Sequence, residues 1–341
     1  MKTIQSYTSH DQTGILLNAN ESSIQFDAAI LQEIQEGILE VAWNRYPDTD
    51  CKQLKQTYAD MQGIEANQII VGNGSDQMLG IMIGSFLSKG KTLYTLDPDF
   101  SMYDYYVSMY DANIEKEAYT TAAQWIQTGK EKQADMILFS NPNNPTGMYL
   151  EKAELVQIIE AFPDIPIVID EAYGEFSKDS ALDLISKYSN VYITRTLSKA
   201  YALASIRIGF LISSKENIEK IQQKMVPYSV SSIDQKVACI VLKHTELFEK
   251  EIERIKQVRK SWLEKSQAFK KMEFLPSQAN FILVKSNEIE TLNALFDQAN
   301  IKIRKFKGEN YSRITIGNDA ENEAVFQIFQ QFEEGSYESR K

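Results

Sequence analysis

Short apolar runs alternate with helix-length segments between residues 68 and 213, and this alternation constrains the fold more than any other feature of the chain. The runs are QIIVG (68–72), TLYTL (92–96), MILFS (136–140), IVID (167–170), VYIT (191–194) and GFLIS (209–213). Each has the length and the β-branched or aliphatic content of a buried strand. Strands that alternate with helices pair in a mostly parallel sheet with helices on both faces. The sequence therefore predicts an α/β domain.

The rest of the chain divides into an arm and a second domain, as expected for 341 residues, a length that suits about two domains. Residues 1–26 are polar apart from ILL at 15–17, which predicts an extended arm. Residues 27–240 hold the α/β domain. Residues 241–341 combine long charged helices, such as ELFEKEIERIKQVRKSWLEKSQAFKKM, with the strand-like runs NFILV, IKIR and YSRITIG. This pattern predicts a smaller α+β domain.

Charge and cysteine content exclude several classes of function. The chain has 36 Lys and Arg against 47 Asp and Glu, and this net charge of −11 repels phosphate backbones and anionic lipid headgroups. We therefore expect neither nucleic acid nor a membrane as a partner. Cys51 and Cys239 are far apart and match neither a metal site nor a disulfide framework, which favours a reduced cytoplasm. The N-terminus lacks a signal sequence, and no run reaches the roughly 18 apolar residues of a membrane span.

Two glycine-containing or proline-containing loops follow predicted strands, where open α/β sheets bind their ligands. The turn NGSDQ contains Gly74, Ser75 and Asp76 and leads into a helix, so its N–H groups could bind a phosphate. A turn that needs glycine only for steric reasons is the alternative. The loop SNPNNPTG (140–147) is rigid and presents amides such as that of Asn144, although a simple turn would look similar.

Two charged groups also follow strands. Asp170 and Glu171 end the apolar run IVID, where a carboxylate needs a partner, so a cation is implied and a structural ion pair is the alternative. Lys199 lies in TRTLSKAYALASIRIGF (194–210), a small and apolar setting in which an amine can lose its proton near neutral pH and act as a nucleophile. A solvent-facing lysine in the first turn of a helix is the alternative.

One ligand accounts for these residues together. It needs an amine for covalent attachment, a carboxylate for a ring nitrogen, amide or phenol donors for a ring oxygen, and hydroxyls with an arginine for a phosphate. Lys199, Asp170, Asn144 and Arg207 supply these groups, and each follows a predicted strand. Pyridoxal 5'-phosphate has the matching groups.

The chain resembles the fold-type I aminotransferases of class I/II over nearly its full length, and most closely their histidinol-phosphate aminotransferase branch. The matching segments are LNANES (17–22), NRYPD (44–48), SNPNNPTG, VIDEAY (168–173), RTLSKAYALASIRIGF (195–210) and SRITIG (312–317). The resemblance implies a large domain that binds pyridoxal phosphate on a mostly parallel seven-stranded sheet, with a smaller C-terminal α+β domain. It also implies a homodimer that shares its active sites, acting on small amino compounds and 2-oxo acids.

The resemblance further implies roles for single residues. Lys199 would bind the cofactor covalently and transfer the substrate proton, Asp170 would keep the ring nitrogen protonated, and Asn144 and Tyr173 would bind the ring oxygen. The phosphate would be held by Gly74, Ser75, Asp76, Thr196, Ser198 and Arg207. Phe100 would stack on the ring where the family usually has tyrosine, and Tyr46 would reach the phosphate of the partner subunit. The substrate would be bound by Asn20, Asn144, Arg304 and Arg313.

The segment after LNANE departs from the family pattern. Histidinol-phosphate enzymes commonly continue with a tyrosine-containing lid, whereas this chain reads SSIQF. Tyr228 of VPYSVSS is a further family tyrosine position, with a packing role as the alternative. No motif contains His10 or His244, so neither is assigned a role.

Three functions therefore stay open. The first is amino transfer between L-glutamate and imidazole-acetol phosphate, which a phosphate-sized pocket beside Arg304 would favour. The second is another aminotransferase acting on aromatic or other amino acids, which an apolar pocket there would favour. The third is decarboxylation, for example of threonine phosphate, because the cofactor motifs do not specify which substrate bond breaks. A regulator's effector domain is disfavoured, since no DNA-binding segment is added.

Overall fold

The structure is a computed structural model, and it describes residues 13–335 of the chain. Its strands are β1 (Ile15–Leu17), β2 (Ile69–Asn73), β3 (Thr92–Leu96), β4 (Asn113–Glu117), β5 (Met136–Ser140), β6 (Ile167–Asp170), β7 (Val191–Thr196), β8 (Ile208–Ile212), β9 (Glu273–Phe274), β10 (Phe281–Lys285), β11 (Ile301–Lys305) and β12 (Tyr311–Thr315). The strands form two sheets, one of seven strands and one of five.

Eleven α-helices cover these sheets within the described residues. They are α1 (Ala28–Leu39), α2 (Lys52–Gln62), α3 (Gly74–Phe86), α4 (Met102–Ser108), α5 (Ala122–Glu131), α6 (Lys152–Ala161), α7 (Lys215–Gln222), α8 (Ser232–Val241), α9 (Thr245–Ser266), α10 (Ile289–Gln298) and α11 (Asp319–Glu334). Local sequence explains their ends: the Asp27 carboxylate accepts the Ile30 N–H at the start of α1, and Gly335 ends α11 with φ 67°. No helix in residues 13–335 is both long and apolar enough to cross a bilayer.

The seven-stranded sheet has the order β2-β8-β7-β6-β5-β3-β4. Strand β8 runs in the opposite direction to the other six strands, which are parallel to one another. The predicted α/β class and the mostly parallel sheet are confirmed, and all six predicted strands are present within a residue or two. The sequence reading missed β4, whose residues NIEKE are charged and partly exposed. A charged edge strand lacks the apolar run that identifies a buried strand.

The five-stranded sheet has the order β1-β11-β12-β10-β9. The run predicted to anchor the arm is β1, which pairs in parallel with β11, so Leu17 lies opposite Ile303. The arm is thus joined to the C-terminal sheet rather than lying free. The divisions after residues 26 and 240 stay predictions.

The register of the large sheet sets the position of the site. Ser140, Asp170 and Thr194 are paired across β5, β6 and β7, so their side chains meet near the carboxyl ends of three parallel strands. The antiparallel strand β8 then places Gly209 opposite Thr196. A Cβ at Gly209 would lie only 2.1 Å from the Ser75 nitrogen, so glycine lets the start of α3 approach the sheet closely.

Candidate active site

A cavity of about 570 Å³ contains most of the predicted site residues, and its volume suits a cofactor with a small substrate. The predicted residues that line it are Ser75, Asp76, Phe100, Asn144, Asp170, Tyr173, Thr196, Ser198, Lys199, Arg207, Arg304 and Arg313. They come from both sheets and from the loops that follow the strands. A separate cavity of about 480 Å³, lined in part by Tyr119, Met148 and Leu275, contains none of the predicted residues.

Lys199 projects into this cavity, and its surroundings favour the neutral amine. The Nζ atom donates to the Ala19 carbonyl oxygen at 2.8 Å, in the segment LNANES. Burial, with the nearby positive charge of Arg313 as a smaller cause, lowers the pKa of Lys199 to about 8. The solvent-facing alternative for this lysine is therefore wrong, and roughly a tenth of the amine is neutral at pH 7.

Asp170 is a buried carboxylate held by neutral donors. Thr194 Oγ1 donates to Oδ1 at 2.8 Å, Tyr103 donates from its hydroxyl to Oδ2 at 3.0 Å, and the Ala172 N–H is 3.3 Å from Oδ1. Burial raises the pKa of Asp170 to about 6, and the hydrogen bonds from Thr194 and Tyr103 oppose this shift. The carboxyl remains largely ionised at pH 7 and can pair with a cationic group of a ligand.

Glu171 faces a different environment from its neighbour because adjacent residues on an extended chain point to opposite sides. It forms a buried ion pair with Arg195 at 2.7 Å, and Arg195 also contacts Glu175 at 2.9 Å. The expected cation is therefore Arg195 and it serves Glu171. At this position the structural alternative is the correct one.

Asn144 and Tyr173 lie next to each other in the cavity, and each contacts a further predicted site residue. Asn144 Nδ2 is 3.5 Å from the Tyr173 hydroxyl, and Asn144 Oδ1 accepts a hydrogen bond from Arg313. The Tyr173 hydroxyl also accepts from Asn20 Nδ2 at 2.9 Å, and burial raises the pKa of this phenol. Asn20 itself does not line the cavity, so it acts on the site through Tyr173.

The start of α3 and the loop after β7 together line one part of the cavity. Arg207 donates to Ser198 Oγ at 3.2 Å and to Asp76 Oδ2 at 3.0 Å, while Thr196 and Ser198 hydroxyls are 3.0 Å apart. Gly74 does not line the cavity, but glycine is required there. Its φ is 76°, and a Cβ at this position would lie 2.7 Å from a guanidinium nitrogen of Arg207. Hydroxyls, a guanidinium and a helix N-terminus together make an anion site.

Tyr46 lies outside the cavity of its own chain. Its side chain is 81% exposed and stacks on Tyr228 with 4.6 Å between ring centroids. Its predicted role in the partner's site stays a prediction. The segment after LNANE also adds nothing to the cavity, because Ile24 and Phe26 pack against the hydrophobic core instead.

Several cavity residues were missed from the sequence. Asp99 accepts from the Ser140 N–H at 3.1 Å and from the Phe100 N–H at 2.7 Å, and burial raises its pKa to about 8. Asn18 and Phe306 also line the cavity. The polar residues of DPDFSMY, next to the predicted Phe100, were the signal that could have identified Asp99.

Residues 12–329 match the family model described as aminotransferase class I and II. This chain belongs to the class I and II aminotransferases. The predicted family, the enzyme class and the cofactor, pyridoxal phosphate, are thereby confirmed.

The similar proteins match this aminotransferase over nearly the full length of both chains. The chain is 35% identical over 335 residues to the histidinol-phosphate aminotransferase of Clostridium novyi, covering 94% of this chain and 93% of the relative. Its fold matches the Sinorhizobium meliloti histidinol-phosphate aminotransferase in complex with pyridoxal-5'-phosphate (TM-score 0.82, 24% identity, 93% and 91% of the two chains covered). It matches the L-threonine-O-3-phosphate decarboxylase of Porphyromonas gingivalis almost equally well (TM-score 0.81, 22% identity, 94% and 99% covered). Fold likeness alone therefore does not separate transamination from decarboxylation.

The donor set of the cavity fits pyridoxal phosphate. The cofactor has an aldehyde, a ring nitrogen that can be protonated, a ring oxygen and a phosphate. The aminotransferase provides an amine with a lowered pKa at Lys199, a buried carboxylate at Asp170 and the Tyr173 hydroxyl, and its anion site contains Arg207 and Ser198. Each group of the cofactor thus has a chemically complementary residue in one cavity.

Proposed function

We propose that this aminotransferase interconverts L-histidinol phosphate and 2-oxoglutarate with imidazole-acetol phosphate and L-glutamate. The similarity to the histidinol-phosphate aminotransferase of Clostridium novyi supports this substrate. The observation that carries the proposal lies in the small sheet, where Arg304 of β11 and Arg313 of β12 are directly paired and both line the cavity. Like charges placed opposite each other repel, so this pair favours a bound anion between or beside them.

A phosphate and a carboxylate both satisfy such a pair of arginines. L-Histidinol phosphate brings a phosphate, and L-glutamate brings carboxylates, so one cationic end can serve both substrates in turn. Arg313 is held in place by the Asn18 carbonyl at 2.8 Å and by Asn144. The Arg304 guanidinium lies over the Phe306 ring, with Cζ 5.8 Å from the ring centroid.

The proposed chemistry assigns the remaining roles within the cavity. When bound, pyridoxal phosphate supplies an aldehyde that accepts the amino group and a ring that withdraws electrons. Lys199 would remove and return the proton at the substrate carbon, because burial lowers the pKa of its amine. Asp170 holds the ring nitrogen in its protonated state, and Asn144 and Tyr173 donate to the ring oxygen. Ser75, Thr196, Ser198 and Arg207 bind the phosphate of the cofactor, and Phe100 covers the ring.

The proposal includes a homodimer in the cytoplasm. Tyr46 is exposed on its own chain, and a role at the partner's cofactor phosphate would explain why such a side chain is left uncovered. Both cysteines are free and buried, as a reduced compartment would leave them.

The test is a half-reaction followed by absorbance. The protein loaded with pyridoxal phosphate is mixed separately with L-histidinol phosphate, L-glutamate and L-phenylalanine, and decay of the visible band of the aldehyde form is timed. We expect L-histidinol phosphate and L-glutamate to convert the cofactor to its amine form at least tenfold faster than L-phenylalanine does. Faster conversion by L-phenylalanine would instead support an aromatic aminotransferase. Release of CO₂ from threonine phosphate, with the aldehyde form regained, would support the decarboxylase.

A pair of variants tests the arginine argument. Arg304→Met is expected to slow the reaction with L-histidinol phosphate by about 10- to 100-fold, as loss of a charge-assisted contact does. Lys302→Met is the matched control, because Lys302 lies two residues earlier on β11 and does not line the cavity. Equal effects of the two variants would contradict an anion subsite at Arg304.

A further inference from the structure

The Asp170 carboxylate depends on a hydroxyl that no motif identified. Tyr103, in the first turn of α4, is 1% exposed and donates to Asp170 Oδ2 at 3.0 Å. Thr194 on β7 donates to the other oxygen, Oδ1, at 2.8 Å. The two carboxylate oxygens are thus held from two different directions, one by the neighbouring strand and one by a helix.

The charges around Asp170 make this hydroxyl important. Asp76 also lines the cavity, and its negative charge adds to the effect of burial in raising the pKa of Asp170. A buried carboxylate among other carboxylates tends to take up a proton. Hydrogen bonds donated to its charged form oppose this, and Tyr103 supplies one of the two from side chains.

Tyr103 also connects Asp170 to the aromatic residue of the cavity. Phe100 lies three residues earlier, and the two rings meet edge to face with 5.6 Å between centroids. The Tyr103 N–H donates to the Phe100 carbonyl at 3.0 Å, which fixes the start of α4. One short segment thus presents both the ring that covers the cofactor and the hydroxyl that holds the carboxylate.

We propose that Tyr103 is a positioning residue, whose hydroxyl keeps Asp170 ionised and oriented so that it favours the protonated ring nitrogen of the cofactor. The inference rests on the role proposed for Asp170. A carboxylate with fewer donors is more basic, so the proton between it and the ring nitrogen shifts towards Asp170 when the hydroxyl is removed. Removing the hydroxyl takes away the hydrogen bond to Asp170 and leaves the ring contact with Phe100 in place, so the effect should concern the ring nitrogen.

The experiment compares two ligands in Tyr103→Phe and in the unaltered protein. The ligands are pyridoxal phosphate and its deaza analogue, in which a C–H group replaces the ring nitrogen, and affinity is measured by titration of protein fluorescence. We expect Tyr103→Phe to weaken pyridoxal phosphate about tenfold, the effect of one charge-assisted hydrogen bond, and to change the affinity for the analogue less than twofold. The pH below which pyridoxal phosphate affinity falls should also move upward, because Asp170 gains a proton more readily.

Tyr94→Phe provides the matched control, since the Tyr94 hydroxyl is buried and donates to the Trp125 carbonyl at 2.9 Å, away from Asp170. It should leave both affinities unchanged. Equal weakening of the two ligands by Tyr103→Phe, or failure of that variant to fold, would overturn the inference, because the hydroxyl would then serve the fold. So would an unchanged preference for pyridoxal phosphate over the analogue. Failure of the unaltered protein to bind pyridoxal phosphate would instead refute the proposed function itself.

Discussion

At the scale of single residues, Lys199 shows how a group proposed for catalysis is placed at a cost in stability. Its amine is buried and its pKa falls from the usual 10.5 to about 8. At pH 7 the amine is charged in both the folded and the unfolded chain, so the folded state bears the full penalty of burying it. The penalty is on the order of 3 kcal/mol, at about 1.4 kcal/mol per pH unit. Such costs are usual at active sites.

Replacing this amine should therefore stabilise the protein in a pH-dependent way. Without cofactor, Lys199→Met is expected to raise the free energy of unfolding by about 2–3 kcal/mol at pH 7, after loss of the hydrogen bond to Ala19. The gain should shrink as the pH rises from about 8 to 10.5, because the folded amine becomes neutral first. Urea denaturation at pH 7 and pH 10 measures it, with Lys89→Met, at an exposed lysine, as the control. A gain that is the same at both pH values would argue against the buried amine as its cause.

At the scale of elements, the arm is the part whose role changed most between sequence and structure. Residues 15–17 form a strand of the small sheet, and each of the next three residues contacts a predicted site residue. Asn18 accepts from Arg313, Ala19 accepts from Lys199, and Asn20 donates to Tyr173. The arm thus connects the two sheets at the active site.

Asn20 permits a test that separates its backbone from its side chain. Its φ is 55°, and its amide bonds both Tyr173 and Thr315. Asn20→Gly should lose about 1–2 kcal/mol of stability with the hydrogen bonds, and Asn20→Ala should lose about 1 kcal/mol more because alanine is strained at positive φ. Thermal unfolding of both variants measures this. Asn300, which is exposed with the same φ of 55°, supplies the control pair, in which only the Gly-to-Ala difference should appear. If Asn20→Gly and Asn20→Ala lost the same amount of stability, strain of alanine at positive φ would be contradicted.

At the scale of the whole molecule, several large apolar side chains stay in contact with solvent. Leu39, Trp43, Tyr46, Val226 and Tyr228 are each at least 47% exposed, and Tyr46 stacks on Tyr228. Exposed apolar groups of this size mark interfaces with other chains. The homodimer of the proposed function would bury side chains of this kind and place Tyr46 at the partner's site.

Mixing two inactive variants tests this shared site. Lys199→Ala lacks the amine and Tyr46→Ala lacks the proposed phosphate contact, so each homodimer should be inactive at limiting pyridoxal phosphate. In a mixed dimer, one site combines an intact Lys199 with an intact Tyr46. Co-expression of equal amounts should therefore restore about a quarter of the activity, since half the dimers are mixed and half their sites are intact. No recovery in dimers verified by sedimentation would show that Tyr46 does not serve the partner.

Much of the site could be read from the sequence because it follows from local pattern. Apolar runs located six strands of the large sheet, and polar residues after those runs identified Asn144, Asp170, Lys199 and Arg207, which all line one cavity. Parallel strands place their carboxyl ends at one edge, so residues far apart in sequence meet there without further information. The missed strand β4 lacks an apolar run and could not be found in this way.

The sequence by itself determined the α/β class, because strand periodicity is a local property, and its loop motifs and family resemblance gave the cofactor and the residues predicted to hold it. Only the tertiary structure decided that Arg195 pairs with Glu171, that Tyr103 holds Asp170, that Arg304 lies opposite Arg313, and that the arm joins the small sheet. The physical reason is that these partners depend on strand register and on which side of a sheet each side chain faces. Both are set by packing between distant segments, which no local pattern encodes.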